Sequence, residues 1–106
     1  MMYEYRARLV RVVDGDTVVL DVDLGWGVWL HGQHCRLRGI DAPERYTPDG
    51  PRATEYLEAI IGDALIIKTD VDKTGSFKRM LVTLFRDGRN LNDQMVSSGN
   101  AKARHD

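Results

Sequence analysis

Apolar and polar residues alternate with a period of two in several stretches of the chain, and this pattern predicts β-strands. In residues 17–24, Val18, Leu20, Val22 and Leu24 share one face, and Asp21 lies on the other with Asp23. The five stretches that we predict as strands have this pattern or are rich in β-branched residues: residues 5–13, 17–24, 34–40, 64–69 and 79–86. Between the first two, Asp14-Gly15 is typical of a tight hairpin turn.

Two other stretches have helical spacing. Apolar residues recur every three or four positions over residues 51–61, with Pro51 suited to the first turn and Gly62 to the end. Asn90 is suited to capping a second helix over residues 91–98. We predict loops at residues 25–32, 45–50 and 70–78. The order of three strands, helix, two strands and helix predicts a single domain over residues 1–106, a small β barrel or sheet with helices.

Composition narrows the function classes. The 106 residues are 42% apolar and 29% charged, and the net charge is −1, so binding to phosphate would depend on a local cluster of arginines. One cysteine excludes an internal disulfide, and we predict that Cys35 faces the core. No apolar run has membrane-spanning length, and the charged start does not resemble a signal peptide. We expect a cytoplasmic protein without a membrane partner, and secretion of a longer precursor stays compatible with the sequence.

Charged residues collect at the ends of the predicted strands. Asp16 begins the second strand, Arg36 lies in the third, Asp41 follows it, and Glu44 comes after a proline. Carboxylates beside an arginine suit a site that holds a cation against a phosphate. The residues His31-Gly32-Gln33-His34-Cys35 include zinc-type ligands, but a fourth ligand is not evident, and we interpret them as polar loop residues next to a buried thiol.

Three segments carry a family resemblance: VVDGDT, CRLRGIDAPE and the stretch FKRMLVTLFRDGRNLNDQMVSSGNAK at residues 77–102. Together they resemble the staphylococcal-nuclease-like (thermonuclease) family over most of the chain. The resemblance implies a β-rich α+β fold, a five-stranded Greek-key barrel of the OB type with two to three helices. It also implies Ca²⁺ bound by Asp16 and Asp41 with help from the backbone carbonyl of Ala42, where well-known relatives have threonine.

The resemblance further implies that Arg36 and Arg79 are catalytic arginines, that Glu44 is the catalytic glutamate, and that Phe77 lies at the substrate with the arginines. Counting back from Asp87-Gly88 selects Arg79, whereas counting forward from the preceding glycine selects a serine. We adopt Arg79 because β register fixes spacing and loops absorb insertions.

Each candidate also has a plain structural interpretation. Asp14 and Asp16 are residue types that are common in turns, and Arg36 with Arg38 would suit the solvated face of an exposed strand. Two tryptophans, Trp26 and Trp29, are able to stack on bases, but tryptophans at such places are more often core or barrel-rim residues, and we favour that interpretation.

The function implied by the resemblance is Ca²⁺-dependent cleavage of DNA and RNA to fragments with 3′-phosphate ends. We expect single-stranded or frayed substrates because nothing resembles a groove-reading helix. The alternatives are an inactive OB module that binds nucleic acid or a protein partner, and a structural component with a vestigial site. Relatives usually continue past Gly99-Asn100-Ala101 into a further helix. As a short member without that helix, the chain either dispenses with it or packs against a partner there, including a second copy in a homo-oligomer.

Overall fold

The computed structural model describes residues 3–71 and 80–105. The helices in this part of the chain are α1 (Gly50–Ile61) and α2 (Leu91–Ser97). The strands are β1 (Tyr3–Asp14), β2 (Thr17–Gly25), β3 (Val28–Leu37), β4 (Ile40–Asp41), β5 (Ala64–Val71), β6 (Met80–Arg86), β7 (Arg89–Asn90) and β8 (Lys102–Ala103). Neither of the two described helices is long and apolar enough to cross a membrane.

Five strands close into a barrel in the order β3-β2-β1-β5-β6. Neighbours along this order are antiparallel, and the barrel closes where β3 pairs with β6 in parallel, Cys35–Leu37 against Met80–Val82. The two-residue strands β4 and β8 form a separate antiparallel ladder. The predicted five-stranded barrel of the OB type, rich in β and with two helices, is confirmed.

Inward-facing positions of the strands and one face of each helix form the core. Helix α1 buries Ala53, Leu57 and Ile61, which lie at the helical spacing seen in the sequence, and it packs against β1 and α2. Burying a leucine such as Leu57 contributes roughly 1.5–3 kcal/mol relative to leaving it exposed. From the strands, Val18, Leu20, Val22, Cys35, Leu37 and Leu84 are among the residues that fill the barrel.

Both helices begin and end within one residue of the predicted positions. The side-chain Oδ1 of Asn90 accepts a hydrogen bond from the Asp93 N–H at 3.0 Å, so the predicted cap of α2 is confirmed. Gly62 follows the last residue of α1, as predicted. Local signals sufficed here because a cap is made within one helical turn.

The predicted loop at residues 25–32 is wrong. Strand β2 continues to Gly25, a two-residue turn at Trp26-Gly27 reverses the chain, and β3 begins at Val28. The interpretation of Trp26 as a core or rim residue is also wrong, because Trp26 is fully exposed at the tip of this hairpin with φ of 57°. Trp29 is half-buried on the outer side of the sheet. Leu24 is exposed because the hairpin extends beyond the core that its inner face would otherwise contact.

The predicted third strand, residues 34–40, is divided in the structure. Strand β3 ends at Leu37, Arg38-Gly39 forms a turn, and β4 is Ile40–Asp41. Gly39 has φ of 79°, a conformation that costs glycine little and other residues more. The turn brings β4 back beside the end of β3, and this reversal positions Asp41 next to Arg36.

Candidate active site

The Asp14-Gly15 turn fixes the position of Asp16. The backbone N–H of Asp16 donates to Asp14 Oδ1 at 3.0 Å. A Cβ atom on Gly15 would lie 2.7 Å from the Ala42 Cβ and 2.9 Å from the Ala53 Cβ. The absence of a side chain at Gly15 therefore allows the turn to lie directly between helix α1 and the chain that follows Asp41.

Arg36 is at the centre of the site and is only 7% exposed. It lies across from Thr17 in the β2–β3 ladder. Its Nη2 is 3.7 Å from Asp16 Oδ2 and 3.4 Å from Asp41 Oδ1, and it donates to the Ile40 carbonyl at 3.2 Å. The interpretation of Arg36 as a solvated strand residue is wrong, since a buried cation is stable only with such partners.

Asp16 is buried and has hydrogen-bond donors at both carboxylate oxygens. Oδ2 accepts the Ala42 N–H at 2.9 Å, and Oδ1 accepts the Thr17 hydroxyl at 3.1 Å. Burial nevertheless raises the pKa of Asp16, as do the hydrogen bond and negative charge of Asp14, and these outweigh the Ala42 N–H and the Arg36 charge. The ionised form of Asp16 is therefore costly at this position.

Asp41 is held by its backbone while its side chain stays 61% exposed. Strand β4 pairs with β8, which places Asp41 opposite Lys102 and Ile40 opposite Ala103. The Arg104 N–H extends this contact by donating to the Gly39 carbonyl at 2.8 Å. Residues more than 60 positions further along the chain thus position one of the two carboxylates.

Glu44 lies in a loop whose backbone is fixed but whose side chain is exposed. The Glu44 carbonyl accepts the Thr47 N–H at 2.9 Å and the Thr47 hydroxyl at 2.6 Å. A Cβ atom on Gly50 would collide with that same carbonyl, so the loop folds tightly onto the start of α1. No salt bridge joins the Glu44 carboxylate to Arg36 among the residues that the structure describes.

The remaining predicted residues, Phe77 and Arg79, lie outside the described residues. Nearby, an unpredicted residue joins the elements around the site: Asn92 is buried and donates from Nδ2 to the carbonyls of Arg38 and Val82, at 2.8 and 3.0 Å. Its Oδ1 accepts the Leu84 N–H at 3.0 Å. The sequence of α2 does not single out Asn92 for such a bridging role, because the next two residues, Asp93 and Gln94, are polar as well.

A cation at this site would depend on few side chains. In residues 3–71 and 80–105, no three His, Cys, Asp or Glu side chains are grouped closely enough to hold a metal by themselves. Two carboxylates, from Asp16 and Asp41, do reach the same Arg36 nitrogen. Oxygen donors of this kind fit Ca²⁺, which accepts carboxylates, backbone carbonyls and several waters in loose geometry. The donor set is therefore compatible with Ca²⁺ if the Ala42 carbonyl and water complete it.

Cys35 and His31 take structural positions instead. Cys35 is buried in the barrel as predicted, and burial raises its pKa to about 12, so it stays a thiol rather than a metal-binding thiolate. His31 lies on the outer side of the sheet, with its Nδ1 3.2 Å from Asp21 Oδ2.

Comparison with known proteins agrees with this fold. Residues 34–106 match the model of the family described as staphylococcal nuclease homologue, and the chain belongs to that family. It is 31% identical to Endonuclease YhcR of Bacillus subtilis (strain 168), over 92% of the chain and 9% of that protein. It is also 31% identical to an uncharacterized endonuclease of Escherichia coli O157:H7, over 92% of the chain.

A third relative is the thermonuclease of Staphylococcus hyicus, which is 23% identical over 95% of the chain. The chain spans 60% of the length of each of these last two proteins. Nearly the whole chain therefore aligns with one part of each longer protein.

Proposed function

We propose that this chain is a Ca²⁺-dependent nuclease that cleaves DNA and RNA to fragments with 3′-phosphate ends. The observation that carries the proposal is the buried Arg36 between the carboxylates of Asp16 and Asp41. Holding a cation and a guanidinium this close together is useful for a ligand with concentrated negative charge, such as a phosphodiester. The names of the relatives support the same class of activity.

Arg36 is the residue that would bind the phosphate. A guanidinium presents paired N–H donors to phosphate oxygens and keeps its proton at any relevant pH. Its contact with the Ile40 carbonyl holds the guanidinium in place before substrate arrives. Donors oriented in advance in this way stabilise the charge that develops in the transition state. Arg79 is the second arginine of the proposal, on the grounds of family resemblance.

Glu44 is proposed to orient the attacking water or accept its proton. Its carboxylate is exposed and therefore accessible to solvent, while the Thr47 contacts restrain its backbone. A general base contributes typically about 10²–10⁴ to the rate when it is well placed. Glu44 follows β4 and is three residues after Asp41 along the chain.

Asp16, Asp41 and the carbonyl of Ala42 are the proposed Ca²⁺ ligands. Bound Ca²⁺ would supply positive charge that neutralises the scissile phosphate and offsets the cost of the buried Asp16 carboxylate. The Ala42 N–H and the Thr17 hydroxyl restrain the Asp16 carboxylate in its present orientation. At position 42 this chain has alanine where well-known relatives have threonine, so the side-chain hydroxyl is absent and the backbone carbonyl is kept.

The experiment is cleavage of single-stranded DNA by the wild type and by Glu44→Ser, each with Ca²⁺ or with a chelator. We expect Ca²⁺-dependent cutting that falls by about 10²-fold or more in the variant. Glu58→Ser, which changes an exposed glutamate on α1, is the matched control and should cut like the wild type. Cutting that persists in chelator would contradict the Ca²⁺ part of the proposal. A folded wild type that never cuts would favour the nucleic-acid-binding module.

Two further measurements address substrate and product. A stable GC-rich duplex should be cut more slowly than the same strand alone, and equal or faster duplex cleavage would contradict the preference for single strands. Product ends that require phosphatase treatment before a polymerase can extend them would support 3′-phosphates. Parallel reactions on RNA of the same sequence test the lack of discrimination between sugars.

A further inference from the structure

The outer face of strands β1 to β3 extends from the candidate active site to the β2–β3 hairpin. In its middle part Val19 is buried, and Arg11 and His34 on either side are exposed. Backbone pairing places residues of the three strands in rows that point away from the core. The row at the site is Asp14, Thr17 and Arg36; the next is Arg11, Val19 and His34; and the row nearest the hairpin tip is Arg6, Asp23 and Trp29. Arginine or histidine thus recurs beside the central strand in each row.

An aromatic cluster lies at the far end of this face. The Arg8 guanidinium lies over the Trp29 ring, with its Cζ 4.9 Å from the ring centroid. The Trp29 and His31 rings are nearly parallel, at 9°, with centroids 6.4 Å apart. Arg8 and His31 are exposed and Trp29 is half-buried, so solvent reaches the cluster. Aromatic rings and guanidinium planes are the surfaces on which unpaired bases stack.

From these contacts we infer that the face between Arg36 and Trp29 binds the single-stranded nucleic acid on one side of the cleaved phosphate, with a base stacked on the Arg8, Trp29 and His31 cluster. The inference rests on the proposed nuclease function, because it takes the position of the cleaved phosphate from that proposal. It adds a binding site for flanking nucleotides, remote from the reacting bond.

The length of the face sets the size of the substrate that reaches the cluster. Thr17 and Asp23, which mark the first and last rows, are six residues apart on β2, or roughly 20 Å at about 3.4 Å per residue. Phosphates of a stacked strand advance about 3.4 Å each, so this distance corresponds to about six nucleotides. A dinucleotide at the active site would therefore not reach Trp29.

The charges on this face favour stacking over electrostatic attraction as the source of affinity. Asp21 and Asp23 on the central strand lie among the arginines, and Asp21 pairs with His31 at 3.2 Å. The whole chain has a net charge of −1. Binding should therefore depend only weakly on salt concentration, unlike binding by a basic groove, and should prefer unpaired bases to a duplex.

The first test is binding, measured in chelator so that no cleavage occurs. The probe is a fluorescein-labelled oligothymidylate of about 12 nucleotides, within the range that one barrel of this type covers. We expect Trp29→Ala to raise the Kd about tenfold and Trp29→Phe to restore most of the affinity, since each stacked base typically contributes about 5- to 150-fold. Trp26→Ala, a matched tryptophan three residues away at the hairpin tip, should bind within twofold of the wild type.

The second test is cleavage as a function of substrate length. For Trp29→Ala, the ratio of kcat/KM for the long oligonucleotide to that for a dinucleotide should fall about tenfold, through KM rather than kcat. The inference would be overturned if Trp29→Ala bound and cleaved like the wild type. It would also be overturned if the wild type bound the annealed duplex as tightly as the single strand. Absence of cutting in the wild type would remove the nuclease proposal alone, because the binding comparison in chelator would still decide whether Trp29 contacts a single strand. Circular dichroism of each variant checks the fold.

Discussion

Asp16 and Asp21 lie five residues apart along the chain, and their surroundings shift the pKa of the two carboxylates in opposite directions. Asp16 is buried beside Arg36, and its pKa is raised, mainly by that burial. Asp21 lies on the hairpin with its side chain 27% exposed, and its pKa is lowered, mainly by a hydrogen bond from the Gly32 N–H and also by His31. Hydrogen bonds stabilise the ionised form of Asp21, whereas burial destabilises the ionised form of Asp16.

The difference shows that the ionised carboxylate lowers the stability of the barrel at the candidate active site and not on the hairpin. At the candidate active site, a turn, a helix and two short strands bring charged groups close together, and Arg36 approaches both Asp16 and Asp41. On the hairpin, charged groups are paired locally and stay in water. A site that binds a cation and a phosphate needs unsatisfied charge before its ligands arrive, so we expect substitutions near Asp16 to separate activity from stability.

The largest effect should follow removal of the buried arginine. Arg36→Ala should lower the cleavage rate by about 10²–10³-fold, since one preorganised donor is lost. It should also destabilise the protein, by up to about 3–5 kcal/mol, because two carboxylates lose their buried partner. Cleavage assays and urea unfolding measure the two effects separately.

Arg36→Lys sharpens this prediction, because it keeps the charge and loses the paired donors. It should recover part of the stability and little of the activity. Arg89→Ala, at an exposed position on β7, is the control and should resemble the wild type in both measurements. Full activity in Arg36→Lys would show that charge alone accounts for the role of this residue.

A smaller effect should follow crowding of the Glu44 loop. Gly50→Ala places a Cβ against the Glu44 carbonyl and the Arg45 backbone, and backbone cannot move aside as a flexible side chain can. We expect a loss of about 1–3 kcal/mol in urea unfolding and a lower cleavage rate at saturating substrate.

The matching change on the hairpin is Val28→Ala, at a half-exposed position, which should cost less than about 0.5 kcal/mol. Equal stability losses in the two variants would show that the Glu44 loop is no more tightly packed than the hairpin.

The sequence predicts the local features of this fold and little of what joins them. Period-two alternation locates the barrel strands, and the Asn90 cap and Gly62 locate the helix ends, because these signals act over a few residues. The continuous hairpin around Trp26 is missed, since its two glycines and two tryptophans give no alternation. Turn residues suggest a loop there, whereas pairing with β2 extends the strand.

The candidate site divides in the same way. Residue types and family resemblance select Asp16, Arg36 and Asp41, and the structure brings these three together. The burial of Arg36 and the pairing of Asp41 with Lys102 depend on contacts between distant parts of the chain, which no local pattern encodes. Whether Glu44 and Arg79 act as proposed stays a prediction.

The smallest effect compares the two aspartates directly, by Asp16→Asn and Asp21→Asn. A raised pKa means that the native state binds a proton more tightly than the unfolded chain does. Stability from Asp16 is therefore present at low pH and is lost as pH rises from the ordinary value of 3.8 through the raised value. A lowered pKa has the opposite sign, so the contribution of Asp21 is present at neutral pH and is lost as pH falls below 3.8.

At pH 7 without Ca²⁺, Asp16→Asn should thus raise Tm by a few degrees, since 1 kcal/mol corresponds to about 4–8 °C in a domain of this size. Asp21→Asn should lower Tm slightly. Added Ca²⁺ should raise the Tm of the wild type and of Asp21→Asn but not that of Asp16→Asn, because a ligand stabilises only the state that binds it. A lower Tm in Asp16→Asn would mean that the hydrogen bonds from Ala42 and Thr17 outweigh the cost of burial, and Asp16 and Asp21 would then not differ in this respect.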